Sequence, residues 1–344
     1  MLALSLNENS KLSIINKKLG KLNPKKYRVK ILYSSICSSD IPRAFSKGAY
    51  NYPLIMGHEL SGKIIEVGKK QKKYKINDLI SIYPLIPKCR KCPQCKKGNY
   101  NLCNKYSYYG SREDGGFAEY LDVNEWNIFK LNKQIDIRLA SLIEPTAVSF
   151  NIYDKTKDTS KKNSILIIGC GFLGQILSRI LYQNNFKNIT CIDRNKYKLN
   201  YLNNFVKTKV FGDLSKLSNY KFDTIIDLIG TEESFKFSLT NLNANGKFVL
   251  PANIYKNFLL HKKTLNFIAR KEINIRGVWN STYKKSKSNW DSAQKFLIKN
   301  KKNINNLITH EIKLNETVKF FYYLKKYKNL RKNKKKYLKA IIKN

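Results

Sequence analysis

The sequence predicts an α/β fold in which a β-rich first part precedes a doubly wound parallel sheet. Up to about residue 150, short stretches of β-forming residues alternate with glycine-rich turns. Residues 164–168 then contain a continuous apolar run, which is typical of a strand buried on both faces of a parallel sheet. Further apolar strands alternate with helical stretches behind that run, and this alternation predicts helices that cover the sheet.

Length and composition set the frame for this prediction. A chain of 344 residues suggests roughly two or three domains. Hydrophobic residues make up 42% of it, including 22 Tyr and 17 Phe, which excludes wholesale disorder. No apolar run reaches the roughly 18 residues of a spanning helix, and residues 1–8 lack the basic and apolar regions of a signal peptide. We therefore expect a soluble, cytoplasmic protein with no membrane partner.

The charge is strongly positive, with 66 Lys and Arg against 24 Asp and Glu and a formal net charge of +42. A nucleic-acid-binding protein gathers its basic residues on one face or in one tail, whereas here Lys is spread along the chain beside abundant Asn and Ile. This pattern favours compositional drift in an AT-rich genome over a binding surface. Binding to nucleic acid or to a membrane surface remains the alternative, with residues 332–336 as the densest cluster. Under both interpretations, the positive electrostatic field of the protein attracts anionic substrates.

The elements of the first part follow in order. Residues 27–33 alternate polar and apolar side chains and predict a half-buried strand. Residues 57–67 combine glycines with β-formers, which indicates short strands and turns. Residues 84–104 are dense in Pro, Gly, Lys and Cys, so we expect a lobe built of loops. Residues 115–123 indicate a turn that enters a strand.

The second part begins with the buried strand at 164–168. Apolar side chains at helical spacing over residues 172–182 predict a helix after it. The tail after about residue 290 is amphipathic and rich in Lys, and residues 337–342 predict a strand that returns to the first part. The remaining predictions are strands at 189–192, 223–229 and 247–250, a helix between the last two, and exposed loops at 212–221 and 330–336.

A glycine-rich turn follows the first strand of the second part. Gly169, Gly171 and Gly174 fit the pattern G-x-G-x-x-G, and Phe172 and Leu173 fill its variable positions where the helix opens. The first glycine makes the tight turn, the second lets a pyrophosphate approach the backbone, and the third lets the helix pack on the strand. The helix N-terminus then offers N–H groups to the phosphates. The turn predicts a dinucleotide site; a turn that binds no nucleotide is the alternative.

The choice of dinucleotide depends on the end of the second strand. Asp193 lies 19 residues past Gly174 (193 − 174). A carboxylate at this position accepts hydrogen bonds from the adenosine ribose and repels a 2′-phosphate, which favours NAD over NADP. Arg194, directly after it, weakens that preference.

Four of the seven cysteines, Cys89, Cys92, Cys95 and Cys103, fall within fifteen residues (103 − 89 + 1). An odd count with C-x-x-C spacing, in a chain expected to stay inside the cell, favours metal over disulfides. Four thiolates on a short loop fit a closed, tetrahedral structural zinc site. A zinc-knuckle binding module or an iron–sulfur cluster is the alternative. We expect the metal, rather than an apolar core, to hold this lobe together.

A second, open metal site is indicated by residues that lie far apart in the sequence. A catalytic zinc takes roughly three protein ligands and leaves one position for water or a substrate oxygen. Cys37 and His58, together with a carboxylate, supply such a set, and Glu59 and Glu144 are both candidates for the carboxylate. As alternatives, Cys37 is a small buried hydrophobe and Glu144 a surface residue or helix cap.

These motifs occur together and in one order, and in them the sequence resembles the zinc-dependent medium-chain alcohol dehydrogenase family along nearly the whole chain. The residues that carry the resemblance are Cys37-Ser-Ser-Asp40, Gly57-His58-Glu59, the four-cysteine lobe, Glu144-Pro145 and the turn at 169–174. The resemblance implies an enzyme that transfers a hydride from an alcohol to NAD, with one catalytic and one structural zinc ion. It also implies a homodimer or homotetramer.

The resemblance further implies domains and roles. The domains are a GroES-like catalytic domain over 1–150 with its zinc lobe at 84–105, a Rossmann NAD-binding domain over 151–290, and a segment at 291–344 that returns to the catalytic domain. Cys37, His58 and Glu144 would bind the catalytic zinc, with Glu59 beside them or exchanging with Glu144. Ser39 would relay the alcohol proton, and Asp40 would orient a zinc ligand.

The substrate is expected to be a sugar alcohol that is oxidised at a secondary hydroxyl. We favour a hexitol phosphate, and a free, sorbitol-like polyol or another alcohol is the alternative substrate. Two alternative functions remain: a basic zinc-lobe protein that binds nucleic acid, and a dehydrogenase that binds NAD without turnover. A phosphate needs cations and a polyol needs hydrogen-bonding side chains. The candidates are Arg43, Lys47 and Arg112 for the phosphate, and Tyr50, Trp279 and Asn280 for the polyol.

Overall fold

The computed structural model describes residues 1–46, 48–283, 288–327 and 336–344. Their contacts divide the chain into two compact units: residues 1–147 with the described parts of 282–330 and residues 339–344, and residues 148–281 with the described part of 331–338. No helix in the described ranges is long and apolar enough to cross a membrane. Lys47 and most of the basic cluster at 332–336 lie outside the described residues, as does most of the loop predicted at 330–336.

The strands come in the following chain order: β1 (Leu2–Leu6), β2 (Leu12–Asn16), β3 (Lys26–Ser35), β4 (Leu54–Ile55), β5 (Glu59–Val67), β6 (Leu79–Ile82), β7 (Leu85–Pro87), β8 (Tyr106–Tyr108), β9 (Tyr120–Asn124), β10 (Ile128–Lys130), β11 (Ile165–Ile168), β12 (Ile189–Asp193), β13 (Thr208–Phe211), β14 (Phe222–Asp227), β15 (Leu242–Leu250), β16 (Asn274–Gly277), β17 (Ile308–Lys313) and β18 (Lys339–Lys343). The α-helices are α1 (Asp40–Phe45), α2 (Pro93–Lys96), α3 (Ile137–Ala140), α4 (Ile143–Asp154), α5 (Phe172–Gln183), α6 (Lys196–Leu199), α7 (Glu232–Asn241), α8 (Lys262–Arg270), α9 (Asn289–Lys299), α10 (Lys301–Asn305) and α11 (Thr317–Tyr327).

The first unit is built around a sheet in the order β10-β6-β5-β3-β18-β17, and β9 also pairs with β3. Tyr27, Val29 and Ile31 alternate along β3 and are fully buried, as expected for a strand with one face on the core. Arg28 points the other way and is bound by the carboxylates of Asp122 and Glu66 at 2.8 and 2.9 Å. β18 pairs with β3 in antiparallel register, so the predicted C-terminal strand forms and joins this sheet.

The second unit contains a six-stranded parallel sheet in the order β13-β12-β11-β14-β15-β16. Counted within the unit, this order is 3-2-1-4-5-6, the doubly wound arrangement of Rossmann folds. Every residue of β11 is buried, which explains its uninterrupted apolar sequence. The prediction of an exposed loop at 212–221 is wrong at Leu214 and Leu217. Both lie in a buried 3-10 turn and pack in the same core cluster as β14.

Four glycines bring two loops into backbone contact just before β5. Gly57 has φ +96° and Gly110 has φ +76°, a region that favours glycine. A Cβ atom on Gly115 would lie 2.1 Å from the carbonyl oxygen of Gly57, and one on Gly110 would lie 2.5 Å from the same oxygen. The backbone N–H of Gly116 donates to that oxygen at 3.0 Å. These contacts fix the peptide that precedes His58.

We therefore expect the variant Gly115→Ala to lose about 1–3 kcal/mol of unfolding free energy, because the new methyl group has no space against the Gly57 carbonyl. Urea unfolding followed by tryptophan fluorescence measures the loss. Gly20→Ala is the matched control, since a Cβ atom there meets nothing within 4 Å. Equal midpoints for the two variants would contradict the prediction.

Candidate active site and zinc lobe

Cys37 comes two residues after the end of β3, in the turn that leads into α1. The fully buried carboxylate of Asp40 accepts a hydrogen bond from the backbone N–H of Cys37 at 3.0 Å, and the backbone N–H of Asp40 donates to the Cys37 carbonyl at 3.1 Å. Arg43 donates to the other carboxylate oxygen of Asp40 at 2.8 Å. Burial alone would raise the pKa of Asp40, but the charges of His58 and Arg43 outweigh it and lower that pKa. The anionic Asp40 thus fixes the turn that carries Cys37.

His58 follows Gly57 and is 4% exposed. Its Nδ1 atom lies 3.4 Å from Asp40 Oδ1 without hydrogen-bond geometry. The ring packs edge-on against Tyr108, with 5.7 Å between the centroids. Burial alone would lower the pKa of His58, yet the Asp40 carboxylate and the Cys37 thiol hold it well above its ordinary value. The imidazole therefore lies in surroundings that favour a positive charge.

Glu59 is fully buried beside His58, at the start of β5. Its Oε2 atom accepts hydrogen bonds from Ser35 Oγ and from Lys339 Nζ, the latter at 2.5 Å. Lys339, from β18, also donates to the carbonyl of Ile36 at 3.0 Å. The second carboxylate oxygen of Glu59, Oε1, is buried and has no hydrogen-bond partner. One oxygen is thus held by the protein and the other is left for another ligand.

Cys37, His58 and Glu59 form a compact set of possible metal ligands. One ligand atom from each lies within 4.8 Å of the other two. The buried Nδ1 of His58 and Oε1 of Glu59 lack hydrogen-bond partners, which is costly unless another group satisfies them. A thiolate, an imidazole and a carboxylate are the donors of catalytic zinc sites. The residues therefore fit a zinc ion.

Glu144 and Ser39 are the two other residues predicted for the catalytic site. Glu144 is buried in the first turn of α4 and accepts a hydrogen bond from the Tyr108 hydroxyl at 3.3 Å. Burial raises the pKa of Glu144 to about 7, and the charge of Glu59 adds to this effect. Within the described part of the chain, Glu144 lies outside the compact set. Ser39 occupies the N-cap position of α1, is partly exposed and makes no side-chain cap bond.

Tyr108 and Lys339 are site residues that the sequence analysis did not single out. Tyr108 contacts both His58 and Glu144, and Lys339 holds Glu59. A signal for Lys339 was present, because it is a single Lys followed by Ala and two Ile in a stretch predicted to be a strand. A buried charge in such a strand requires a partner of opposite sign.

The four cysteines of the lobe also come together. One sulfur from each lies within 4.8 Å of the others, and Cys89 Sγ is 3.3 Å from Cys103 Sγ and 4.0 Å from Cys95 Sγ. All four are free thiols. The N–H groups of Cys92 and Lys91 lower the pKa of Cys89 to about 6, whereas burial raises the pKa of Cys95. Four sulfurs, one of them already acidic, fit a closed zinc site.

The glycine-rich turn of the second unit has an open face. Gly169 has φ +98°, and a Cβ atom on Gly174 would lie 2.3 Å from the Gly169 carbonyl, so helix and strand require glycine here. A Cβ atom on Gly171 would meet nothing within 4 Å. α5 begins at Phe172, which is buried, and Leu173 is half-buried beside it. The turn leaves room for a phosphate group against its backbone.

Asp193 ends β12 beside this turn. Its carboxylate accepts hydrogen bonds from the backbone N–H groups of Cys170 at 2.8 Å and Asn195 at 2.7 Å. The exposed Arg194 is paired with Asp213 at 2.7 Å and Glu233 at 2.6 Å. Two carboxylates thus neutralise Arg194, the cation that was expected to weaken the preference for NAD over NADP.

The substrate candidates are distributed over both units. Arg43 is paired with Asp40, and Lys47 lies outside the described residues. Tyr50 and Arg112 contact each other in the first unit. Trp279 and Asn280 belong to the second unit, where the Asn151 side chain donates to their carbonyl oxygens at 3.4 and 2.8 Å.

Comparison with known proteins identifies relatives of this chain. The model of the alcohol dehydrogenase GroES-like domain matches residues 23–133. Galactitol 1-phosphate 5-dehydrogenase of Escherichia coli (strain K12) is 32% identical over 293 residues, which cover 82% of this chain and 84% of the relative. D-arabitol-phosphate dehydrogenase of Enterococcus avium is 28% identical, covering 85% and 84%. The crystal structure of galactitol-1-phosphate dehydrogenase from Escherichia coli matches with a TM-score of 0.88 at 27% identity, covering 100% of both chains.

The chain belongs to the zinc-dependent medium-chain alcohol dehydrogenase family. It is an oxidoreductase of the alcohol and polyol dehydrogenase class, and zinc and a nicotinamide dinucleotide are its cofactors. The predicted fold class, a GroES-like part with a Rossmann sheet, is confirmed. The alternative of a nucleic-acid-binding protein has no support in these relatives, which are dehydrogenases.

Removing one lobe cysteine should release metal and loosen only the lobe. We expect Cys95→Ser to lose one zinc ion per chain, because three sulfurs and a hydroxyl bind the ion more weakly than four sulfurs. Metal analysis measures the loss, and limited proteolysis should then cut within residues 84–105. Ser107→Ala, a buried polar change just outside the lobe, is the control. Retention of all zinc in Cys95→Ser would contradict a four-sulfur site.

Asp193→Asn should move the cofactor preference toward NADP. The substitution removes the charge that repels a 2′-phosphate, so we expect the ratio of kcat/KM for NADP to that for NAD to rise about tenfold. Asp158→Asn removes an equal charge in the same unit and serves as the control. An unchanged ratio in Asp193→Asn would show that this carboxylate does not select the cofactor.

Proposed function

We propose that this chain oxidises a secondary hydroxyl of a polyol phosphate, with NAD as the hydride acceptor, and that galactitol 1-phosphate is its substrate. The observation that carries the reaction is the compact set of Cys37, His58 and Glu59, in which the buried Oε1 of Glu59 has no hydrogen-bond partner. The choice of substrate is supported by the relatives, since galactitol 1-phosphate 5-dehydrogenase and D-arabitol-phosphate dehydrogenase are named for phosphorylated polyols.

The ligands that we propose for the catalytic zinc are Cys37 and His58, with Glu59 or Glu144 as the carboxylate. When bound, the ion supplies a Lewis acid that lowers the pKa of the substrate hydroxyl. Ser39, whose hydroxyl is not used to cap α1, accepts the alcohol proton at Oγ and passes its own hydroxyl proton on to solvent. Tyr108 packs against His58 and donates to Glu144, and it excludes water from that side of the site. The four-cysteine lobe binds the second, structural zinc.

The cofactor roles fall on the second unit. The turn at Gly169, Gly171 and Gly174, together with the first N–H groups of α5 at Phe172 and Leu173, binds the pyrophosphate. Asp193 binds the adenosine ribose, and Arg194 is held by Asp213 and Glu233 instead of by a 2′-phosphate. This arrangement supports NAD. The nicotinamide performs the hydride transfer, and the protein orients it.

We assign catalysis to a domain over 1–150 that is completed by 291–344, and cofactor binding to a domain over 151–290. The two units found by contacts change over close to these boundaries, at 147/148 and 281/282. We further propose a cytoplasmic homodimer or homotetramer. The unpaired state of the seven cysteines supports a reducing compartment.

A free polyol is the second candidate substrate. Sorbitol dehydrogenase of Halalkalibacterium halodurans is 25% identical to this chain, covering 87% of it. The assay below therefore includes galactitol and sorbitol beside galactitol 1-phosphate.

The purified, zinc-loaded enzyme should form NADH with galactitol 1-phosphate at a higher kcat/KM than with galactitol or sorbitol. Cys37→Ser should reduce kcat about 100-fold or more and lower the zinc content from two ions to one, because it removes a ligand. Cys191→Ser changes a buried thiol in the second unit and should keep both ions. A wild-type enzyme that oxidises sorbitol but not galactitol 1-phosphate would overturn the substrate, and full activity of Cys37→Ser would overturn the site.

A further inference from the structure

Arg112 lies over two tyrosine rings in the first unit. Its guanidinium carbon is 4.0 Å from the centroid of the Tyr50 ring and 4.5 Å from that of the Tyr106 ring. Stacking on aromatic rings restrains a guanidinium group and leaves the N–H groups in its plane free to bind oxygen atoms.

The backbone around Arg112 is tied down as well. The Asn51 side chain donates to the Arg112 carbonyl at 2.8 Å, and the Arg112 N–H donates to the carbonyl of Tyr108 at 2.9 Å. The N–H of Tyr50 reaches the carbonyl of Ser111 at 3.4 Å. The loop that carries one ring is therefore joined to the turn that carries the cation, so the arrangement is formed before a ligand arrives.

The charge of Arg112 is not neutralised within the described part of the chain. No carboxylate there lies within salt-bridge distance of it, and its one side-chain hydrogen bond is a long contact of 3.4 Å to the Tyr106 hydroxyl. The acids next to it in sequence are engaged elsewhere: Glu113 pairs with Lys88, and Asp114 pairs with Lys17. Most of the five N–H donors of Arg112 are thus available to an anion.

The strand β8 connects Arg112 to the candidate zinc ligands. Tyr106 and Tyr108 are two residues apart on this strand, so their side chains leave the same face about 7 Å apart. Tyr108 contacts His58 and Glu144, whereas Tyr106 contacts Arg112. In an extended hexitol 1-phosphate, six bonds of about 1.5 Å separate C5 from phosphorus, and bond angles reduce that distance to the order of 7 Å. This length is of the same order as the separation of Tyr106 and Tyr108, the residues that contact Arg112 and His58.

We infer that Arg112, with Tyr50 and Tyr106 as its platform, binds the phosphate group of the substrate and selects phosphorylated over free polyols. This inference rests on the proposed function and adds the group that recognises the phosphomonoester. A planar guanidinium can bind two phosphate oxygens at once, which gives direction as well as charge. Arg43 is the nearest rival, but Asp40 already neutralises it. The remaining basic residues create a general field, which attracts phosphate without orienting it.

The test compares Arg112→Met with wild type. We expect the KM for galactitol 1-phosphate, and its Kd measured by calorimetry without NAD, to rise about 10- to 100-fold, as for the loss of charge-assisted hydrogen bonds. The KM for galactitol should stay within about twofold, since galactitol lacks the phosphate. Arg112→Lys should lie between the two, because it keeps the charge but loses the planar fork. Lys133→Met removes one charge at an exposed position and should leave both constants unchanged.

A second variant, Tyr50→Leu, tests the same inference in case Arg112→Met does not fold. Tyr50 is 63% exposed, so its loss should leave the urea midpoint unchanged while the Kd for galactitol 1-phosphate rises about two- to fivefold. If wild type oxidises galactitol 1-phosphate but Arg112→Met and Tyr50→Leu bind it as wild type does, this inference fails and the proposed function stands. If wild type does not oxidise galactitol 1-phosphate but oxidises free polyols, the proposed substrate fails and the inference fails with it.

Discussion

The buried ion pair between Lys339 and Glu59 is the interaction on which the first unit most depends. It joins β18, from the C-terminal end of the chain, to the residue that directly follows His58, and both side chains are almost completely buried. A buried charge without its partner is strongly destabilising, so a register of β18 that separated Lys339 from Glu59 would leave both charges buried and unpaired. The two carboxylate oxygens of Glu59 also have different surroundings. Oε2 accepts hydrogen bonds from Lys339 and Ser35, whereas Oε1 has no hydrogen-bond partner. The same contact thus joins β18 to the sheet and orients the Glu59 carboxylate, which can bind a metal.

The sequence revealed the parts of the site whose chemistry depends on residue type and spacing. The four cysteines, the glycine turn and Asp193 could all be located from the sequence, because a metal lobe and a pyrophosphate cradle need fixed residues at short separations. The strand at 337–342 was also predicted, but the partner of Lys339 was not, because Glu59 lies 280 residues away in the chain. Tyr108 was missed for a similar reason. A tyrosine in a short strand has no feature that marks its contact with His58.

The choice between Glu59 and Glu144 could not be made from the sequence, and the structure explains why both carry weight. Glu59 belongs to the compact set with Cys37 and His58, whereas Glu144 faces Tyr108 just outside it. Burial raises the pKa of Glu144 to about 7, and the charge of Glu59 adds to this effect. Two acids that interact in this way suit a site in which one binds the ion and the other can replace it, as the resemblance to the family implies.

The charges buried around the candidate site explain why it needs a divalent cation. Zinc ligands bind in their deprotonated forms, so a zinc-bound Cys37 would be a thiolate and, with Asp40, Glu59 and Glu144, would bring four negative charges to the site. Within the described residues, Arg43 and Lys339 return two positive charges, through their pairs with Asp40 and Glu59. A neutral His58 adds none, so two negative charges remain in a region where unpaired charge is expensive. A proton on His58 and another on Glu144 reduce this excess of negative charge. This is why the pKa values of both groups are raised. A bound zinc ion would cancel the two excess negative charges, so neither group would need its proton. The excess negative charge that destabilises the metal-free protein therefore favours zinc binding.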